Sequence, residues 1–151
     1  NQKLDTLSSL YFLQSLDMCL VDEIGSEYMY HFLNQSFCTE ITKFLKLYNS
    51  FKHCNASSHR LKYNISLKIY STCISDSSQY QINVPFGTYQ QIKSDINQLK
   101  EQYVADVNAL NVSNDIFDVA YEQIKRLIIQ NHWCNFKHVL HAVHKDGQLV
   151  K

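Results

Sequence analysis

Residues 37–52 limit the possible folds more than any other segment of the chain. Their large apolar side chains recur at steps of three and four, which places them on one face of an α-helix. These residues are Phe37, Ile41, Phe44, Tyr48 and Phe51. The pattern predicts a long amphipathic helix from about Thr39 to Lys52. Because the chain has only three Gly and one Pro, it offers few tight turns, and we predict an all-α fold.

Further helices are predicted on the N-terminal side of this segment. An apolar stripe begins with Leu4, Leu7, Leu10 and Tyr11 and continues toward Gly25. We expect Gly25 to end a helix, because glycine tolerates the left-handed conformation found there. Ser26 is then expected to cap a helix that carries Met29, Tyr30, Phe32 and Leu33.

Four more helices are predicted on the C-terminal side. The polar run from His53 to His59 has no apolar period and is interpreted as a surface connection. A helix is predicted from about Arg60 to Ile74, with a core-facing set of Leu61, Ile65, Ile69 and Tyr70. A loop over 76–87 precedes a helix that extends to about residue 105. Asn114 or Asp115 is expected to cap the next helix, and the last one carries Trp133, Phe136, Val139, Leu140 and Val143.

Length and charge narrow the class of protein. The 151 residues, 45% of them hydrophobic, suffice for one domain with a proper core. Lys+Arg and Asp+Glu are both 14, so no net field attracts nucleic acid or an anionic membrane. No leader is evident, and no apolar run approaches the ~20 residues that cross a bilayer. We predict a cytoplasmic domain that is part of a larger protein, whose other domains could place it at the cytoplasmic face of a membrane.

The residue types that commonly carry chemistry form no recognisable site. The five cysteines lack any CxxC or CxxH pair and are interpreted as reduced core thiols. His138, His141 and His144 would drift by about 60° per step around a helix axis, so we predict no metal site. No phosphate-binding loop, HExxH motif or nucleophile elbow occurs. We therefore expect no cofactor and no active site.

Five short motifs occur in the order in which they occur in one known family. They are Met29 to Lys52 with its Phe37 and Phe44, Lys68-Ile69-Tyr70 through Ile74, Ile82-Asn83-Val84, Phe117-Asp118-Val119-Ala120, and Trp133-Cys134-Asn135-Phe136. Across about residues 16–140 the chain resembles a regulator-of-G-protein-signalling (RGS) domain. The segment 84–116 is longer than in a typical member. Together with the chain length, the resemblance leads us to predict a single domain over 1–151.

The resemblance also implies a fold and a function. The fold is a nine-helix one, with a terminal helical subdomain and an antiparallel four-helix bundle. The function is binding of an activated heterotrimeric G-protein α subunit (Gα) and acceleration of its GTP hydrolysis, which attenuates the signal. The GTPase already carries its own Arg and the Gln that orients the attacking water. The RGS domain therefore needs no catalytic residue and acts by holding the switch loops in position.

The first two of the family's three Gα-binding loops can be matched to this chain. The first has Glu-Asn in the family and reads Glu40-Ile41 here, so its second residue has lost the amide. The Asn of the second loop, which lies beside the catalytic Gln of the GTPase, matches Asn83. Each position also has a purely structural interpretation. A carboxylate in the first turn of a helix is stabilised by the helix dipole, and Asn often bonds its own backbone in turns.

The third loop departs further from the family. The family's Leu matches Leu127, its Asp matches Asn131 and its Arg matches Asn135. Asn131 loses the charge that strengthens a hydrogen bond to a backbone amide, and Leu127 also fits a core stripe. The alternative is therefore a non-catalytic RGS-homology scaffold within a larger signalling or sorting protein. A third hypothesis is a helical adaptor that shares only amphipathic spacing with the family.

Overall fold

The computed structural model of the chain describes residues 10–55 and 57–145. Within these ranges the secondary structure is helical and no strand occurs, so the all-α prediction is confirmed. The seven α-helices are α1 (Leu16–Val21), α2 (Glu23–Gln35), α3 (Thr39–His53), α4 (His59–Ile69), α5 (Phe86–Ala105), α6 (Asp118–Ile128) and α7 (Cys134–Lys145). The stripe predicted to begin at Leu4 lies mostly outside the described residues, and Tyr11–Gln14 form a short 3₁₀ turn.

The chain forms two compact units. One, the terminal unit, comprises the described residues up to Cys38 and from Lys125 onward. The other, the central unit, comprises Thr39–Ile124. The central unit therefore holds α3, α4, α5 and the first turns of α6, and the terminal unit holds α1, α2 and α7.

Two helices of the central unit, α4 and α5, run antiparallel. The Tyr63 ring stacks on the Tyr103 ring, with 4.8 Å between centroids. Further along α4, just past its end, the Tyr70 ring lies 5.8 Å from Lys100 Nζ. Because a later residue on the α4 side contacts an earlier residue of α5, the two helices point in opposite directions.

The same pattern relates α3 and the first turns of α6. Tyr48 stacks on Tyr121 at 4.0 Å between ring centroids, and Lys52 Nζ lies 3.1 Å from Asp118 Oδ1. Thr88 of α5 also donates a hydrogen bond of 2.9 Å to the side chain of Gln123 in α6. The central unit is thus an antiparallel bundle of four helical segments.

The amphipathic stripe of α3 forms part of this bundle core. Four of its five predicted members are buried: Ile41, Phe44, Tyr48 and Phe51. The prediction of α3 itself, from about Thr39 to Lys52, is confirmed to within one residue. Phe37 is the exception, because it precedes the helix and its side chain is 93% exposed.

The predicted core face of α4 is right at Ile69, which is fully buried, and wrong at Leu61. Leu61 is 51% exposed, whereas Lys62 is only 3% exposed. The buried lysine explains the error, since a sequence pattern treats Lys as solvent-facing. Its aliphatic stem is buried while its ammonium donates to Asn114 Oδ1 and lies 5.0 Å from the centroid of the Phe51 ring.

The Phe-Asp-x-Ala motif joins α6 to α3 inside the central unit. Phe117 and Ala120 are fully buried, and the Phe117 ring meets Phe51 edge to face at 5.3 Å. Asp118 accepts a hydrogen bond of 2.7 Å from the Tyr48 hydroxyl. Burial, together with the hydrogen bond to Asp118, raises the pKa of Tyr48, which keeps the hydroxyl protonated as the donor.

The start of α6 and the segment before it differ from the prediction. The helix begins at Asp118, and neither Asn114 nor Asp115 caps it. Helix α5 begins at Phe86, so the loop predicted over 76–87 ends two residues early, at Pro85. Beyond α5, Leu110 and Val112 are buried, and the Val112 amide donates 3.1 Å to His59 Nδ1.

In the terminal unit the predicted helix end at Gly25 is wrong. Helix α1 ends at Val21, and α2 begins at Glu23 and continues through Gly25. Asp22 rather than Ser26 is the N-cap, since its carboxylate accepts from the amides of Ile24 and Gly25. Glycine is needed here for space, because a Cβ on Gly25 would lie 2.9 Å from the carbonyl oxygen of Cys19 and from the Phe12 ring.

We expect Gly25→Ala to destabilise the protein by about 1–3 kcal/mol, because the added methyl meets backbone that must move. Gly87→Ala is the matched control, since Gly87 also lies in a helix but a methyl group added there would have no neighbour within 4 Å. That change should stabilise by up to about 1 kcal/mol through helix propensity. Urea unfolding measures both, and equal effects of the two changes would contradict the steric argument.

The two last predicted helices are one continuous helical run. Between α6 and α7 the backbone forms a π-helical segment over Ile129–Trp133, and a second π segment over Tyr70–Ile74 continues α4. The predicted break before Trp133 is therefore absent. Such π insertions are frequent at functional sites.

The cysteines divide into two groups. Cys19 and Cys73 are fully buried, and burial raises the pKa of each thiol to about 12. These two match the predicted core thiols, whereas Cys134 is exposed and Cys38 and Cys54 are half-buried. Among the described residues, no helix has the length and apolar character required to cross a bilayer.

Candidate functional site

The first candidate segment comprises the turn between α2 and α3 and the first turn of α3, which carries Glu40 and Ile41. The amide of Phe37 donates to the Asn34 carbonyl, and the amide of Cys38 donates to the Leu33 carbonyl at 2.8 Å. This is a Schellman arrangement, whose left-handed position usually holds Gly or Asn. Here Phe37 occupies it with φ of 61°. A phenylalanine that is both strained and 93% exposed is unusual.

We expect Phe37→Gly to stabilise the protein by about 1 kcal/mol, because glycine adopts this φ without steric cost. Phe37→Ala is the control, since it removes the exposed ring but keeps a Cβ in the left-handed conformation. That variant should stay within about 0.5 kcal/mol of the parent. Thermal unfolding of both variants measures the difference, and equal stability would contradict the strain.

Glu40 and Ile41 have different environments in the first turn of α3. Glu40 is half-buried, and no hydrogen bond or ion pair joins its side chain to the described residues. Ile41 is only 6% exposed and belongs to the core stripe. Of this pair, Glu40 is thus the residue whose polar group is available to a partner.

Asn83 lies in the second candidate segment with its side chain exposed. Its neighbours are buried, Ile82 at 1% exposure and Val84 at 6%. The backbone around it is held from both sides, because the Ile82 amide donates 2.9 Å to the Cys73 carbonyl and the Val84 amide donates to the Tyr89 hydroxyl. No hydrogen bond joins the Asn83 side chain to any residue of 10–55 or 57–145, so the interpretation as a turn residue that bonds its own backbone finds no support.

A side-chain contact within the central unit connects the neighbourhoods of Glu40 and Asn83. Lys43 Nζ lies 4.4 Å from the centroid of the Tyr80 ring. Lys43 is three residues after Glu40, and Tyr80 is three residues before Asn83. These two candidate residues therefore belong to neighbouring parts of one unit.

The third candidate segment belongs to the terminal unit and lies within the α6–α7 helical run. Leu127 is half-buried, while Asn131 and Asn135 are exposed. Since they recur every four residues along one helical run, they lie on one side of it. Asn131 lies in the π-helical segment itself.

The turn before α3 packs on this third segment inside the terminal unit. Cys38 Sγ lies 3.4 Å from His132 Nε2. The His132 ring also meets Phe32 edge to face at 6.3 Å, and Phe32 packs on Phe136 at 5.5 Å. Cys38 therefore lies beside His132 of the α6–α7 helical run within the terminal unit.

These features define a class of all-helical domain in which Asn83, Asn131 and Asn135 are exposed. The described residues contain no group of three or more His, Cys, Asp or Glu side chains that could hold a metal ion. The family model for the regulator of G protein signaling domain matches residues 15–138. The chain therefore belongs to the RGS domain family, which replaces the hypothesis that it shares only amphipathic spacing with that family. No curated protein matches the chain.

Membership of the family carries a general function. RGS domains bind Gα subunits and regulate their GTP hydrolysis, without a catalytic site of their own. Sequence reasoning missed two features near the candidate residues. The spacing of Phe37 assigns it to the core, although the residue is exposed. The Tyr89 hydroxyl contacts the backbone beside Asn83, and the only sequence signal for this contact is that Tyr89 lies six residues after Asn83.

Proposed function

We propose that this domain binds the activated form of a Gα subunit and accelerates its GTP hydrolysis. The contacts come from Glu40, Asn83 and the Leu127, Asn131 and Asn135 face, in a cytoplasmic setting and as part of a larger protein. Ile41, the sixth matched position, supports the first segment from the core instead of contacting the partner, since it is buried.

The observation that carries this proposal is the environment of Asn83. Its amide is exposed and makes no bond with the described part of the chain, while the backbone on both sides is held. Because no hydrogen bond within the described residues occupies this side chain, its amide is available to orient a group of a partner protein. In the family this Asn lies beside the catalytic Gln of the GTPase.

The mechanism is preorganisation. The Gα subunit supplies the Arg and the water-orienting Gln. The RGS domain adds binding energy that is realised when the switch loops adopt the geometry of the transition state. Only that differential binding raises the rate, so the domain must prefer the transition-state form over the GDP form.

The altered positions determine which partner fits. Ile41, Asn131 and Asn135 replace the family's Asn, Asp and Arg. If each change costs about 1 kcal/mol, an ordinary partner would bind on the order of a hundredfold more weakly. We therefore propose a Gα whose switch loops do not require an acidic acceptor at position 131.

The test is single-turnover GTP hydrolysis by a panel of Gα subunits with and without the domain. Binding to Gα loaded with GDP, and with GDP plus aluminium fluoride, is measured on the same panel. Acceleration of at least one subunit, with preference for the aluminium fluoride form, supports the proposal. Binding that ignores the nucleotide state and leaves hydrolysis unchanged would favour the scaffold alternative, which the neutral Asn131 and Asn135 also favour.

A further inference from the structure

Tyr89 of α5 contacts the backbone on both sides of Asn83. Its hydroxyl accepts a hydrogen bond of 3.1 Å from the Val84 amide and donates one to the Ile82 carbonyl. One phenol group thereby joins the residue before Asn83 to the residue after it. We call this pair of bonds the Tyr89 clasp.

We propose that Tyr89 is a positioning residue, whose clasp holds Asn83 in the geometry that Gα requires. This inference rests on the proposed function and adds to it the group that orients its central side chain. Tyr89 itself needs no contact with Gα, because it acts on the backbone that carries Asn83.

The support behind Tyr89 makes the clasp rigid. The amides of Thr88 and Tyr89 donate to the Pro85 carbonyl at the start of α5. The Thr88 hydroxyl donates 2.9 Å to Gln123 of α6. On the other side of the turn, the Ile82 amide is bonded to Cys73 in the π-helical segment. The Asn83 backbone is thus held against two different parts of the bundle.

The expected effect of removing the Tyr89 hydroxyl follows from the contacts that remain. Tyr89→Phe keeps the ring, the helix and the buried side chains of Ile82 and Val84, so the fold should persist. The Val84 amide and the Ile82 carbonyl lose their partner, and the turn gains freedom. Since displacement of a positioning group by about 1 Å costs up to a hundredfold in rate, we expect the acceleration of GTP hydrolysis to fall about tenfold or more.

Tyr103→Phe is the matched control on the same helix. Its ring stacks on Tyr63, and within the described residues its hydroxyl has no hydrogen bond. This variant should accelerate hydrolysis as the parent does. Equal activity of the parent, Tyr89→Phe and Tyr103→Phe would overturn the inference.

A double-variant cycle separates positioning from general stability. If Tyr89 acts through Asn83, the Asn83→Ala/Tyr89→Phe protein should be no less active than Asn83→Ala alone. Losses that multiply would show that Tyr89 acts by another route and would overturn the inference. Thermal unfolding of each variant checks that the compared proteins are folded.

Amide hydrogen exchange tests the clasp without any Gα. In Tyr89→Phe the Val84 amide should exchange about tenfold faster, since it loses its acceptor. The Ile82 amide, bonded to Cys73, should keep its protection and serves as the internal control. Unchanged exchange at Val84 would overturn the clasp, whereas absence of acceleration by the parent domain would contradict the proposed function.

Discussion

Asn83→Ala is expected to lower the acceleration of GTP hydrolysis about a hundredfold, a loss typical of a misplaced or missing positioning group. The change removes the exposed amide that we propose lies against the catalytic Gln of Gα. Because this side chain has no bond to the described residues, the free energy of unfolding should change by less than about 0.5 kcal/mol. Single-turnover hydrolysis and urea unfolding measure the two quantities on the same preparations.

Asn97→Ala provides the control for this prediction. Asn97 is also exposed and lies in α5, away from the three candidate segments in sequence. Its replacement should leave the acceleration unchanged. Equal losses for Asn83→Ala and Asn97→Ala, or no loss for either, would show that Asn83 has no special contact with the GTPase.

Phe117→Ala is expected to destabilise the protein by about 3–5 kcal/mol, the range for a fully buried aromatic residue. Phe117 has no exposed area, and its ring packs edge to face on Phe51. Its removal leaves a cavity between α3 and α6, next to the bonds that join Asp118 to Tyr48 and Lys52. Since a domain of this size has only about 5–15 kcal/mol of stability, the variant should melt at a much lower temperature.

Val119→Ala tests whether burial, rather than the motif, decides this effect. Val119 lies two residues further along, in the same Phe-Asp-x-Ala motif, and is 62% exposed. Its replacement should change the stability by less than about 0.5 kcal/mol. A loss at Val119 comparable to that at Phe117 would contradict the structure of this part of the bundle.

The local sequence pattern is sufficient to predict those helices that have a regular apolar stripe. It predicts α3 to within one residue, because Ile41, Phe44, Tyr48 and Phe51 follow the helical period and are buried. The errors arise where a residue serves an unusual role. The pattern places a helix end at Gly25, although this glycine allows close approach of Cys19 and Phe12. It also places Leu61 in the core instead of the buried Lys62.

The candidate site, like the fold, could be predicted only in part from the sequence. The order of five motifs identified the RGS family, and residue types at matched positions nominated Glu40, Asn83 and the third segment. The sequence could not show the strain at Phe37, since a left-handed φ is imposed by the Schellman turn around it. It also could not show the Tyr89 clasp, which depends on how α5 folds back on the turn before it.

The sequence by itself therefore determined the all-helical class, the family and the residue types at the matched positions. These depend on short-range periodicity and on the order of motifs, both of which are properties of the linear chain. The tertiary structure decided which side chains remain accessible and which are held in place: Ile41 buried, Phe37 exposed and Asn83 presented on a braced turn. Burial and bracing result from contacts between segments distant in sequence, such as Ile82 with Cys73 or Phe51 with Phe117.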